Sequence, residues 1–167
     1  MLVLDEKFRK NKLRYVLQCL LATVAVGVLL TILDAISDAA VIGALGASSF
    51  IAFTMPHANV SRARFLIGGH CMGVVAGMLC HWASRWPVLA EVPLVSGNET
   101  VLFGALAVGL AIFLMVTTDT EHPPAAGVAL GLVLEQRPWG TVAVILVGVV
   151  VLALMRRALQ RWLLNLL

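Results

Sequence analysis

The chemistry in this sequence is concentrated in a few polar side chains set among long apolar runs. His122-Pro123-Pro124 closes the stretch Thr118-Asp119-Thr120-Glu121, Pro56-His57 ends one apolar run, Arg62 and Arg64 follow it, and Gly68-Gly69-His70 opens another. Paired prolines remove two backbone donors and stop a preceding helix, whereas proline early in a new helix is well tolerated. A helix is therefore predicted to start at Pro123, with unpaired amides and the positive end of its dipole beside His122, an arrangement that favours an anion. His122 reads equally as a ligand contact, a proton carrier or a helix cap. His70 is an ionisable group within an apolar run, where such groups mark functional sites by default; His81 reads as incidental. Arg62 and Arg64 would form a basic mouth that concentrates anions, although the excess of positive charge on cytoplasmic loops would place arginines there in any case.

Other chemistries are excluded or unsupported. His57, His70 and His122 sit on separate segments without metal-ligand spacing, and Cys19, Cys71 and Cys80 lie in apolar runs as small core residues, so neither a metal nor a cofactor is expected. No nucleophile elbow, phosphate loop or dinucleotide fingerprint occurs, so enzymatic activity is not expected. Asp119 and Glu121, two residues apart, would diverge on a helix and read as solvated turn residues. The net charge of +3 comes without the interleaved basic and aromatic surface that would read a nucleic acid.

These side chains need elements to hold them, and the composition says what kind. The chain is 60% hydrophobic and 13% charged over 167 residues, against roughly 25% charged for a soluble domain, which makes it an integral membrane protein. Four runs approach the roughly 20 residues needed to cross the hydrocarbon: Leu17 to Leu33, Ala39 to Met55, Phe65 to Ala83 and Val101 to Thr118. A fifth, Gly140 to Met155, is flanked by Trp139 and Trp162 as interface anchors. Pro123 to Leu134 would give only about 18 Å of helix and must be completed by non-helical backbone or turn back. Lipid tolerates neither on an exposed face, so this segment must be buried in protein or line a watery cavity.

The fold expected is an all-α polytopic transmembrane bundle of about six spans, one short and broken at His122-Pro123-Pro124. Six crossings with both termini cytoplasmic put Lys7, Arg9, Lys10, Lys12, Arg14, Arg62, Arg64, Arg156, Arg157 and Arg161 inside and only Arg85 and Arg137 outside, the better charge split. The chain is then one transmembrane domain: a basic N-terminus over 1–14, retained because no small-residue cleavage site follows the first run, the bundle over 17–155, and a cytoplasmic or interfacial tail over 156–167. Two sets of three spans run oppositely, as in a 3+3 inverted repeat. Their middle members are rich in small residues or broken by proline: Ile42 to Ser49, containing Gly46-Ala47-Ser48-Ser49, and Pro123 to Gly127. Such pairs point to a midplane transport site, although small residues also simply let helices pack closely. Gly73 and Gly77 continue a small face below Gly69 that would admit a neighbouring helix.

Several ordered motifs resemble the HPP family of integral membrane proteins: Gly46-Ala47-Ser48, Pro56-His57, Arg64 followed six residues later by His70 in Gly68-Gly69-His70, Thr118 and Thr120, and His122-Pro123-Pro124. The resemblance covers roughly 43–134; Ala63, Phe65 and Glu121 depart from the usual pattern. Some photosynthetic members are associated with nitrite transport, so the resemblance implies a carrier or channel for nitrite or a similar small inorganic anion. In that reading Gly46, Ala47, Ser48 and Ser49 oppose the helix that starts at Pro123 and Pro124. The hydroxyls of Thr118, Thr120 and the serines replace lost hydration, Arg64 attracts the ion, and His57, His70 or His122 carries a proton if transport is coupled. The partners expected are the lipid bilayer, here a bacterial-type inner membrane, the anion, and further copies of the chain, with a dimer as the guess. The alternatives are a non-transporting scaffold or pH sensor with responsive histidines, and a channel for a neutral solute such as urea or ammonia.

Overall fold

The computed structural model describes residues 6–33, 39–90, 97–135 and 138–166, and among these every regular element is helical. The order is α1 (Glu6–Leu33), α2 (Ala39–Thr54), a 3-10 turn (Asn59–Ser61), α3 (Ala63–Ser84), the short α4 (Pro87–Ala90), α5 (Glu99–Thr117), α6 (Pro124–Leu134) and α7 (Pro138–Leu159). The protein is thus a helical membrane bundle. Among the described residues three helices, α3, α5 and α7, are long and apolar enough to cross a membrane. Arg137, one of the two arginines assigned to the outer side, lies outside the described residues.

The helices outrun their apolar cores because polar ends can remain helical once they reach water. α1 begins eleven residues before the expected span and bends where Asn11 leaves helical geometry (φ −130°, ψ 31°), and α7 runs on through Arg156 and Arg157. α2 has 16 residues and α6 has 11, about 24 and 17 Å of helix, both short of a roughly 30 Å core. Cys80 is buried as expected of a small core residue, Cys71 is half-buried and Cys19 is exposed on α1, which corrects its assignment to the core.

Helix α3 is the axis, with α5, α6 and α7 all packed on it, while α2 packs on α6 and α7. What admits α6 is a row of absent side chains. A Cβ on Gly69 would stand 2.5 Å from His122 Cβ and 2.9 Å from the Thr120 carbonyl oxygen, one on Gly73 would strike the Ala125 carbonyl, and one on Gly77 would meet Ala129 at 2.9 Å. Spaced by four, these glycines lie on one face, and along it the backbone of α6 approaches as closely as side chains would forbid. Along α6, Val128, Ala129 and Leu132 are all fully buried.

The segment around α6 follows α3 from end to end. At one end Arg64 donates to the Thr118 carbonyl (3.1 Å). At the other Arg85 donates to the Glu135 carbonyl (3.0 Å), and buried His81 lies 2.8 Å from the Leu132 carbonyl through Nδ1. Positions 64 and 85, at the start of α3 and just past its end, are separated by about 31 Å at the helical rise. The non-helical residues Asp119 to Pro123 supply the length that the 11-residue helix lacks. His81, read from the sequence as incidental, holds the far end of α6.

The tail is part of the fold. Leu163 and Leu166 are buried, the Leu166 amide donates to the Thr54 carbonyl (2.8 Å), and the side chain of buried Gln18 on α1 donates to the Phe53 and Leu164 carbonyls. The C-terminus thereby ties α1 to the end of α2.

The glycine row yields a direct contrast. Gly73→Ala should destabilise the protein by about 1–3 kcal/mol through overpacking. Gly43→Ala, where nothing lies within 4 Å of the added carbon, should be neutral or gain up to about 1 kcal/mol of helix propensity. Thermal melting of the two variants in detergent decides it, and equal melting temperatures would contradict the docking described.

Candidate functional site

Two histidines and a serine meet in the interior where α2, α3 and the start of α6 converge. His70 and His122 are both fully buried, as is Ser48, and the ring centroids are 5.1 Å apart. Ser48 Oγ lies 2.9 Å from His122 Nε2 and 3.4 Å from His70 Nε2. On their other sides the rings face carbonyls: His70 Nδ1 is 2.8 Å from Leu66 O, one helical turn back, and His122 Nδ1 is 3.2 Å from Val60 O. A carbonyl only accepts, so both Nδ1 atoms carry hydrogen, and both Nε2 atoms turn toward the same hydroxyl.

Each member is positioned by local sequence. α5 ends in a Schellman motif: the Thr120 amide donates to Met115 O (3.0 Å) and the Asp119 amide to Val116 O (3.4 Å), with Asp119 in the left-handed conformation (φ 53°) that this motif places after the helix. The chain then passes Thr120, whose methyl seats on Gly68, and His122, whose Cβ seats on Gly69. Val60 is presented by the 3-10 turn, which is anchored because buried Ser61 donates to Met55 O (2.5 Å) at the end of α2. Thus the ring of His122 is held between α3, the turn and α2.

The structure separates the other expected residues into those that reach this cluster and those that do not. Ser49 is buried and its hydroxyl has no hydrogen-bond partner. Gly46 and Ala47 are exposed on an unbroken helix, so the expected backbone lining there is corrected: α2 satisfies its own backbone and offers only Ser48 and Ser49. His57 is exposed and bound to the tail, with its ring 3.1 Å from Leu163 O and its amide donating to Asn165 (3.2 Å); it does not join His70 and His122. Asp119 is the solvated turn residue expected, more than 60% exposed, and it pairs at 2.9 Å with the equally exposed Arg64, so the Arg64 charge is not unopposed. Thr118 Oγ1 donates to Leu114 O (2.7 Å) and so receives the hydrogen of Thr120 Oγ1 (2.8 Å), which commits both threonine hydrogens within the turn.

The expectation of unpaired amides at the start of α6 is overturned. Pro123 and Pro124 have none, and the next two amides turn back into the same turn, Ala125 N to His122 O (2.9 Å) and Ala126 N to Pro123 O (3.1 Å). The double proline that begins the helix also empties its N-terminus of the donors an anion would need. Pro123, exposed, and Pro124, half-buried, act as a helix start. Beside it a cavity of about 230 Å³ is lined by Ile112, Met115, Val116, Glu121, His122, Pro123 and Ala126.

One basic residue escaped the sequence reading. Arg156, placed there among the cytoplasmic charges, is only 9% exposed; its guanidinium donates to Pro56 O, and its Nε is buried without a partner. Arg62 lies close enough for the two positive charges to repel, and among the described residues neither has a carboxylate partner. Nothing but its place at the end of an apolar run distinguished Arg156 in the sequence.

A family described as HPP, transmembrane region, matches residues 7–164, nearly the whole chain, and the chain belongs to that family. A transmembrane protein of Dictyostelium discoideum is 36% identical over 99 residues, a stretch that covers 58% of this chain and 31% of the relative. The chain thus spans about a third of the curated relative it matches. No solved structure matches.

The two serines should respond oppositely to substitution. Ser48→Ala strips both imidazoles of their shared partner and should lower stability by about 1–3 kcal/mol. Ser49→Ala removes a buried hydroxyl that has no partner and should leave the melting temperature unchanged or raise it. A Ser49→Ala loss as large as that of Ser48→Ala would show that Ser49 is satisfied after all. Asp119→Gly separates the exposed pair from the backbone: the left-handed position suits glycine, and the lost pair is worth about 1 kcal/mol at most, so the melting temperature should hardly move.

Proposed function

We propose that this HPP-family membrane protein passes a small inorganic anion, nitrite first among the candidates, across a bacterial-type inner membrane along the seam between α2, α3 and the start of α6. The observation that carries the reading is a fully buried polar cluster, Ser48, His70 and His122, with a buried and unpartnered Ser49 hydroxyl one residue on. Buried polar groups without complete partners are costly, and in membrane helices they mark paths for ions and protons. Arg62 and Arg156, without a carboxylate partner among the described residues, supply a positive entrance in place of the role expected of Arg64. The length of the 118–135 segment against α3 supports a crossing at α6 rather than a re-entrant turn, with both chain ends on the cytoplasmic side. Homo-oligomers, dimers first, would cover the short helices.

A second reading, a pH-responsive scaffold without transport, is favoured by one feature: His70, His122 and Ser48 partner one another. Uptake of nitrite into liposomes carrying the purified protein distinguishes the two, with nitrate, chloride, formate and urea as competitors. The expected result is nitrite-selective flux that falls at least about tenfold in His122→Ala, roughly 1.4 kcal/mol of barrier, and much less in Arg64→Ala. Absence of flux for every solute would favour the scaffold, and urea flux indifferent to membrane potential would favour a neutral-solute channel.

A further inference from the structure

The hydrogen-bond accounting of the buried cluster does not close for two neutral rings. Both Nδ1 hydrogens are spent on carbonyls, so in the neutral state His70 Nε2 and His122 Nε2 are both acceptors, and a serine hydroxyl carries one hydrogen. Ser48 can serve only one of them, and the shorter contact, 2.9 Å against 3.4 Å, selects His122. One added proton closes the account: His70 Nε2–H donates to Ser48 Oγ, and Ser48 Oγ–H donates to His122 Nε2. A second proton would leave the Ser48 hydrogen without an acceptor in the cluster and put two positive charges on rings 5.1 Å apart.

Among the described residues no neighbouring charge alters this count. On α2 the facing polar groups are Ser48 and Ser49; the 3-10 turn contributes the Val60 carbonyl, with exposed Arg62 after it. The α5–α6 connection brings Thr120, its hydrogen committed to Thr118. Asp119 is engaged outside by Arg64, and Glu121 borders the cavity beside His122 with no hydrogen bond to either ring. Arg156 on α7 is held at the Pro56 carbonyl, and on α3 itself Cys71 is half-buried.

We propose that His70, Ser48 and His122 form a binding site for one proton, which the two rings exchange through the serine hydroxyl and which travels with the anion. The exchange balances atom for atom. The Nε2–H bond of His70 breaks as its proton joins Ser48 Oγ, while the original Oγ–H proton passes to His122 Nε2. The hydroxyl is restored and one positive charge has moved from α3 to the start of α6. The same proton explains how an anion can approach: two bare Nε2 lone pairs repel it, whereas the loaded pair is cationic. The coupling to an anion rests on the transport reading above; the proton site does not.

The test has two arms. In the first, histidine-selective ¹⁵N NMR of the full chain in nanodiscs follows His70 and His122 across pH. The expected result is a single shared proton, with both rings responding in one step in wild type and Ser48→Thr, and separate responses in Ser48→Ala. Two independently acquired protons, no protonation between about pH 4 and 9, or wild-type behaviour in Ser48→Ala would overturn the site. In the second arm, liposomes loaded with a pH dye report proton entry during nitrite uptake. Uptake should bring one proton per nitrite and rise up to about tenfold per unit of acidification, as occupancy of a one-proton site does, with the coupling lost in Ser48→Ala and kept in Ser48→Thr. Nitrite flux without proton entry would overturn the coupling. A one-step titration by NMR without any flux would uphold the proton site and remove the transport reading instead.

Discussion

The contact of α6 with the glycine row of α3 governs the rest of the structure. An 11-residue helix cannot cross a bilayer, and the non-helical backbone that extends it would leave polar groups in lipid, where each costs several kcal/mol. Gly69, Gly73 and Gly77 resolve this by letting the 118–135 segment lie backbone to backbone on α3. Its free ends are then satisfied by groups from α3: Arg64 at Thr118, His81 at Leu132 and Arg85 at Glu135. Packing and polar satisfaction are the same event here, since neither glycine nor capping side chain would act without the other.

That docking also creates the chemistry. Gly69 has no side chain, so His122 seats against it, and the next residue, His70, stands beside it on α3. The pair would be an unsatisfied liability in a membrane interior unless a third group bridged it, and Ser48 from α2 does so. α2 is short and small-faced, which brings its hydroxyl within reach of both rings. A largely apolar interior thus contains, at the start of α6, a polar seam of two imidazoles and a hydroxyl.

Much of this was legible in the sequence, and the boundary has a physical cause. The helical membrane fold followed from apolar run lengths, the break at His122-Pro123-Pro124 from proline chemistry, and the close approach of another helix to α3 from glycines four apart. The family resemblance was confirmed over nearly the whole chain. What failed were inferences about partners. The start of α6 was expected to present free amides, yet the turn reuses them. Arg64 was expected to face an ion, yet Asp119 takes it. Gly46 and Ala47 were placed on the pathway with Ser48 and Ser49, though a continuous helix turns adjacent residues to different faces. His57 matched its motif but met the tail, 106 residues away in sequence, and no local pattern encodes that.

The measurement that bears most directly on this account is the approach of His122 to Ser48 in a bilayer, read by dipolar recoupling between ring ¹⁵N of His122 and ¹³Cβ of Ser48 in solid-state NMR of the full chain. The account predicts a strong coupling at Nε2, consistent with the 2.9 Å hydrogen bond, and its loss in Gly69→Val, where the added side chain pushes His122 away from α3. Absence of the coupling in the unmodified protein would contradict the account, because the helix start would then lie away from the serine and the polar seam would not exist.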